Sequence, residues 1–198
     1  MADFLLSYKK TSINEGGYSN DPNDRGKETV FGISRVNFPN WPGWKIIDRL
    51  KTHDPVNFVS SILSNADLKI LTANFYRQEF WDKLRCIVMP QEIADELYDT
   101  SVNTGLVYGA KCLQMALNKL NRNEVDYKDL TADGNIGPAT INALNAYLAT
   151  ERFSYRNRDK LVHWLMKWMN YFQLKRYDEI TDRDKTQEKW VPGWTERG

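Results

Sequence analysis

Histidine and cysteine are scarce, with two of each in 198 residues. Neither His53 nor His163 belongs to a metal-ligand pattern such as H-E-x-x-H, which argues against a zinc hydrolase. Cys86 and Cys112 are too few for a disulfide framework, and Cys112 in "AKCLQMAL" reads as a small buried hydrophobe on a helix rather than as a nucleophile. There is no G-x-S-x-G elbow and no glycine loop of the phosphate-cradling type. Excess charge of one sign is missing as well. Twenty-seven basic against 26 acidic residues leave a net charge of +1, so nothing recommends nucleic acid as a partner. No run approaches the roughly 20 apolar residues that span a bilayer, which excludes membrane insertion. The start, "MADFLLSYKKTSINEGG", lacks a basic segment ahead of its short apolar group and does not read as a secretory signal, so the chain is expected to be cytoplasmic on synthesis. Internal repeats and low-complexity tracts are absent, which argues against a solenoid or a coiled-coil tail.

Two segments approach a calcium loop and fail on the ligand count. In "DPNDRGKETVFG", Asp21 and Asn23 fit the first positions, but Arg25 falls where an oxygen is needed and Gly32 where the closing Glu should be. In "DLTADGNIGPAT", Asp129, Thr131, Asp133, Gly134 and Ile136 are in register, yet Thr140 replaces the bidentate Glu. No metal or other cofactor is expected.

Aromatic residues are abundant: seven Trp, ten Tyr and eight Phe. They serve core packing first, with stacking on flat ligand surfaces such as sugar rings as the alternative. Helical spacing dominates outside the opening loop. Phe4, Leu5, Tyr8 and Ile13 predict a first helix ending near Glu15, where Gly16 and Gly17 break it. A short helix opened by Asp54 and Pro55 is expected next, then one over about Asp67 to Phe80. Another is flanked by Pro90 and Gly105, followed by helices around Ala110–Leu120 and Pro138–Leu148. A longer helix from Tyr155 to about Tyr177 carries Leu161, Leu165, Trp168 and Phe172 on one stripe. Trp190 and Trp194, around Pro192 and Gly193, read either as a latch pinning the C-terminus or as part of a substrate cleft.

With metal and thiol chemistry set aside, carboxylates remain, and the polar loop "EGGYSNDPNDRGKETVFGIS" concentrates them. Glu15 stands at the end of a helix and Asp24 within the loop, so the pair can face each other across a cleft. The plain structural alternative is that Glu15 caps a loop and Asp24 makes an Asx turn. Asp21, held before a proline, is the rival to Asp24.

This segment resembles the signature of glycoside hydrolase family 108, the N-acetylmuramidases of phages and bacteria, with the pattern E-G-G-Y-x-N-D-P-x-D-x-G-G-x-T-x-x-G-I-S/T. Glu15, Gly16, Gly17, Tyr18, Asn20, Asp21, Pro22, Asp24, Gly26, Thr29, Gly32, Ile33 and Ser34 match it. Lys27 replaces the second glycine of the usual pair, and Arg25 stands where proline is common. "ANFYRQEFWDKLRC" is similar to the family's tyrosine-to-tryptophan helix. "LYDTSVNTG" is similar to its F-D-x-A-x-N-x-G segment, here Tyr98, Asp99, Asn103 and Gly105. "CLQMALNKL" and "DGNIGPAT" resemble the predicted peptidoglycan-binding segment that accompanies the family, and "WVPGWTERG" its closing G-W-x-x-R.

The resemblance implies a mainly α, lysozyme-like helical fold with a small loop or hairpin at the active-site cleft. It implies a catalytic region over 1–90 and a helical peptidoglycan-binding region over 91–198, packed into one globular unit. It also implies a peptidoglycan hydrolase, monomeric and free of cofactor, that cleaves the β-1,4 bond between N-acetylmuramic acid and N-acetylglucosamine. Glu15 would be the general acid, its pKa raised by apolar neighbours. Asp24 would be the ionised second carboxylate, and Thr29 would hold a water or orient Asp24. Tyr18, Asn20, Asp21, Asp99 and Asn103 would contact substrate. Without a secretory signal, such an enzyme would reach the cell wall or periplasm through a holin-like pore, another export route or host lysis. The alternative from another class is an inactive peptidoglycan-binding, secretion or regulatory module on the same scaffold.

Overall fold

The computed structural model describes residues 1–12, 17–21, 26–150 and 158–195. The described residues are mainly helical, with nine α-helices and one small antiparallel sheet, the fold class the sequence implies. They form two compact units, one of Tyr8–Glu79 and one of Met1–Ser7 with Phe80–Gly198.

The Tyr8–Glu79 unit begins in the second half of α1 (Phe4–Ser12) and continues through strands β1 (Tyr18–Asn20), β2 (Glu28–Val30) and β3 (Ile33–Ser34). Helices α2 (Gly43–His53), α3 (Phe58–Ser64) and α4 (Ala66–Tyr76) follow. Strands β2 and β3 are joined by Phe31 and Gly32, with Val30 opposite Ile33. Both turn residues have positive φ, +48° and +77°, as a two-residue turn matching the twist of the strands requires. A bulky side chain in that region is costly. Phe31 is therefore tied at both ends of its peptide: its N–H donates to the Gly17 carbonyl at 2.8 Å and its carbonyl accepts from the Tyr76 hydroxyl at 2.9 Å. Val30 and Ile33 are fully buried, and Trp44, Ile47, Ile62, Leu68, Phe75 and Tyr76 complete this core.

In this unit α2 is not among the expected helices, and two boundaries differ from the sequence expectation. Helix α3 starts at Phe58, not at Asp54 and Pro55. Asp54 instead steadies the start from outside, accepting hydrogen bonds from the Asn57 backbone N–H at 3.2 Å and the Ser61 hydroxyl at 2.8 Å. Helix α4 does not run to Phe80 as an α-helix, because residues Arg77–Trp81 widen into a π turn, a device common beside functional sites.

The second unit is built on α5 (Gln91–Thr104), α6 (Leu106–Leu120), α7 (Pro138–Ala149), α8 (Arg158–Arg183) and α9 (Val191–Thr195). Helix α6 starts four residues before the expected Ala110, because Gly105 at φ +91° reverses the chain directly from α5. The first residues of the chain are part of this unit. Phe4 packs edge-on against Trp81 and Tyr98 at 5.7 and 6.1 Å. Gln91 accepts from the Asp3 N–H at 2.6 Å, and Ser7 donates to Asp95.

Helix α8 corrects one stripe assignment. Leu161, Leu165 and Phe172 are buried as expected, but Met169 takes the interior position and Trp168 stays 36% exposed. Among the C-terminal aromatics, Trp194 stacks on Tyr177 at 4.9 Å, which is the latch arrangement, while Trp190 is 54% exposed. The "DGNIGPAT" turn is organised by Gln114 of α6. Its amide donates to Asp133 Oδ1, the Asn135 carbonyl and Thr140 Oγ1 at 2.9, 3.1 and 3.3 Å, and it accepts from the Gly134 N–H at 2.9 Å. Gly134 needs to be glycine on two counts: φ is +85°, and a Cβ would lie 2.7 Å from the Val107 carbonyl oxygen. Both cysteines are buried and unpaired. Burial pushes the Cys86 thiol up and the Cys112 thiol up to about 12, so neither supplies a thiolate nucleophile near neutral pH.

Among the described residues of this core, Glu96 is the carboxylic acid with a strongly displaced titration. Burial first, and then the neighbouring Asp99 and Asp95, push its carboxyl up to about 7 against the partly offsetting Thr100 hydrogen bond. The Thr100 hydroxyl lies 3.2 Å from Glu96 Oε1 and 3.1 Å from Gln173 Oε1, and Gln173 donates on to Tyr177 at 2.7 Å. One hydroxyl hydrogen cannot serve both oxygens. A protonated Glu96 resolves the conflict by donating to Thr100, which then donates to Gln173. The folded pKa lies above the ordinary glutamate value, so Glu96 costs stability as pH rises from about 4.5 to about 7 and adds no cost below that window. A shift of this size corresponds to at most about 3 kcal/mol. The Asn170 amide, turned so that its nitrogen faces Glu96 Oε1 at 2.5 Å, favours the ionised form and lowers that figure. Glu96→Gln is therefore expected to gain about 1 kcal/mol at pH 8, with the two melting curves converging at pH 4. Thermal unfolding across that range checks it, and a gain independent of pH would contradict it.

Candidate active site

Four of the sequence-designated site residues lie together on the hairpin of the Tyr8–Glu79 unit. In β1, Tyr18 pairs with Val30, Ser19 with Thr29 and Asn20 with Glu28. Asn20 and Asp21 are exposed and Thr29 is half-buried, with its hydroxyl 3.4 Å from the Lys27 carbonyl. Tyr18 packs edge-on against Phe58 at 4.9 Å, and its hydroxyl lies 3.4 Å from Glu28 Oε1. The Gly26 carbonyl accepts from the Ser34 hydroxyl at 2.9 Å, closing the base of the loop. Glu15 and Asp24 lie outside the described residues.

Lys27, the departure from the glycine pair, has φ of +49°. A side chain there costs about 1 kcal/mol, which glycine would not. Lys27→Gly is expected to raise stability by about 0.5 kcal/mol after the greater freedom of the unfolded glycine is deducted. Chemical denaturation measures it, and destabilisation would show that the lysine side chain holds the loop.

Sequence reasoning passed over the carboxylate that fixes the hairpin. Glu28 is only 8% exposed. Its Oε2 pairs with Arg35 at 2.7 Å, while Oε1 takes Lys51. Arg35 also forks onto Asp48 at 2.6 and 3.1 Å and lies over the Trp44 ring at 4.3 Å. Both oxygens of Glu28 are thus occupied by cations from β3's end and α2. Glu28 anchors the hairpin. The signal for it was the alternation over Glu28, Thr29 and Val30, which puts the first and third on the inner face.

The same unit contains a groove of about 470 Å³ between the connector after β3 and the end of α4. Phe38, Trp41 and Phe75 line it with Asn40, Asn74 and Gln78. Phe38 meets Phe75 at 4.7 Å and Trp41 meets Trp44 at 5.1 Å, both edge-on. Gly43 makes this possible, since a Cβ there would come within 2.3 Å of the Trp41 ring. Aromatic surfaces rimmed by amides suit a ligand with apolar C–H faces and many hydroxyls.

Asp99 and Asn103 lie in the other unit, on successive turns of α5, both half-buried. The Asn103 amide donates to the Asp99 carbonyl and carboxylate, each at 2.9 Å. No group of three or more His, Cys, Asp and Glu among the described residues could hold a metal ion, and no described helix is long and apolar enough to cross a membrane.

Two family models match the sequence: glycosyl hydrolase 108 over residues 8–105, and a predicted peptidoglycan domain over residues 85–198. The chain belongs to the glycosyl hydrolase 108 family. At that level it is a glycoside hydrolase acting on peptidoglycan, and peptidoglycan is its polymer partner. No curated protein matches the chain. Among solved structures it is similar to SagA of Brucella abortus, with 18% identity, a TM-score of 0.56, and coverage of 98% of this chain and 88% of that one. At that identity the likeness supports the fold alone. Within the family frame, the β1–β2 hairpin is the described part of the Glu15 motif, and α5 carries the Asp99 and Asn103 segment.

Proposed function

We propose that this glycosyl hydrolase 108 member is an N-acetylmuramidase that cleaves the β-1,4 bond after N-acetylmuramic acid. Glu15 protonates the leaving glycosidic oxygen. Asp24 meets the oxocarbenium-like charge directly or through a water, and Thr29 positions that water or Asp24 itself. Tyr18, Asn20, Asp21, Asp99 and Asn103 contact the glycan. The observation that carries this reading is the family match over the segment holding Glu15 and Asp24, together with the ion-paired hairpin that fixes Thr29 of the same motif. Buried Glu28 is ion-paired with Arg35 and Lys51 and serves the hairpin's structure, which is consistent with the reactive pair coming from the other carboxylates of the motif, Glu15 and Asp24, with Asp21 as the rival to Asp24. The enzyme acts as a monomer at the cell wall or periplasm, after release by a holin-like pore, another export route or host lysis.

A peptidoglycan zymogram tests the reading against a binding-only module on the same scaffold. The enzyme clears a band at its own mass, whereas a pure binder leaves the gel opaque.

The catalytic region over 1–90 and the binding region over 91–198 are proposed to work as one globular unit. A fragment beginning at Met89 lacks Phe4 and Trp81, the two rings against Tyr98. It is expected to unfold without a cooperative transition. A sharp thermal melt of that fragment would overturn the one-unit view.

A further inference from the structure

Helix α8 presents a second chemistry on its outer face. From Lys160 to Tyr177 its sequence contains no Asp or Glu. Lys160, Trp164, Lys167, Trp168, Tyr171 and Lys175 recur at three- and four-residue spacing, which places them on one side of a helix. The opposite side is the buried row of Leu161, Leu165, Met169 and Phe172. Trp168 is 36% exposed and Tyr171 51% exposed. Their rings meet edge-on at 5.5 Å, and Trp168 also leans on Phe172 at 6.0 Å. These contacts prop the rings against the helix while leaving much of their surface in water. Lys160, Lys167 and Lys175 are exposed, and no carboxylate of the described residues pairs with them.

We infer that this face of α8 is where the chain grips the cell wall, with Trp168 and Tyr171 stacking on sugar rings of the glycan strand and the flanking lysines meeting carboxylates of the stem peptides. The inference rests on the peptidoglycan reading above and adds the place of contact, which the domain match over residues 85–198 leaves open. Two large aromatic rings left partly in water side by side on one helix face are apolar surface that a ligand can cover. The centres of the Trp168 and Tyr171 rings stand 5.5 Å apart, a step comparable with one pyranose in a β-1,4 strand. The charge pattern selects the polymer further. An uninterrupted basic face complements acidic peptides and repels cationic partners. A membrane surface is the less favoured occupant, because Lys160, Lys167 and Lys175 are interleaved with Trp168, Tyr171 and the 42% exposed Leu174, which leaves only a short apolar strip cut by charge.

Co-sedimentation of the full chain with purified peptidoglycan tests this, using the Glu15→Gln background so that the polymer survives. Two double variants are compared with that parent, Trp168→Ala/Tyr171→Ala and Lys167→Gln/Lys175→Gln, each first verified as folded by its thermal melt. The aromatic pair is expected to raise the apparent Kd at least ten-fold at any salt concentration. The lysine pair is expected to raise it several-fold at low salt and little at high salt. Parent-like sedimentation of both variants would overturn the inference alone. A parent that neither sediments with the wall nor, with Glu15 intact, clears a zymogram would overturn the peptidoglycan reading and the inference with it. Binding of the parent to phosphatidylglycerol vesicles, lost in the aromatic variant, would overturn the inference in favour of a membrane face.

Discussion

Glu15→Gln is expected to reduce lytic turnover by two to four orders of magnitude while leaving peptidoglycan binding close to that of the parent. Glutamine keeps the size of the side chain and much of its hydrogen-bonding capacity, but it cannot deliver a proton to the leaving oxygen. General acid catalysis of this kind contributes on the order of 10²- to 10⁴-fold. Glu28, the other glutamate of the motif, is held by two cations. Asp24→Asn is expected to impair turnover severely as well. Asp21→Asn should have the smaller effect, because Asp21 is assigned to substrate contact. Turbidity clearance of wall suspensions, normalised to bound enzyme, measures all three. Parent-like clearance by the Glu15→Gln variant would remove the catalytic assignment and leave the loop as scaffold.

Gly109→Ala is expected to destabilise the chain by about 3 kcal/mol, although the same substitution inside an ordinary helix gains about 1 kcal/mol. The sign reverses because α5 and α6 approach so closely there. A Cβ on Gly109 would lie 2.6 Å from the Ser101 Cα and 2.0 Å from its Oγ. A backbone atom cannot swing aside as a side chain can, so the two helices must separate. Around this contact Leu97, Ala110, Leu113 and Ala116 are completely buried, and separation would open that packing. At about 2–4 °C per kcal/mol for a chain of this size, a fall in Tm near 10 °C is expected. Stabilisation of the variant would show that α5 and α6 do not pack in this way.

The helices were largely legible because their apolar positions and punctuation agree. Pro90 and Gly105 bracket α5, and Gly137 and Pro138 open α7. Legibility failed where tertiary packing outranked local pattern. Trp168 fits the inner stripe by spacing, yet Met169 fills the interior better and the larger ring stays outside. The π turn at Arg77–Trp81 leaves no mark in apolar periodicity. The hairpin was readable only as a polar loop, since its strands are two or three residues long and Phe31 occupies a turn position that usually selects glycine or asparagine. The motif that names Glu15 and Asp24 was legible from residue order alone, whereas the groove of Phe38, Trp41 and Phe75 depends on segments brought together by folding.

The bond that is cut tests the account most directly. Purified peptidoglycan is digested with the enzyme, the products are reduced with borohydride, and the reduced sugar ends are identified by mass spectrometry. Cleavage after N-acetylmuramic acid predicts N-acetylmuramitol at the new ends, with the stem peptides still attached. New ends of reduced N-acetylglucosamine, anhydro ends that resist reduction, or free stem peptides with intact glycan would each contradict it.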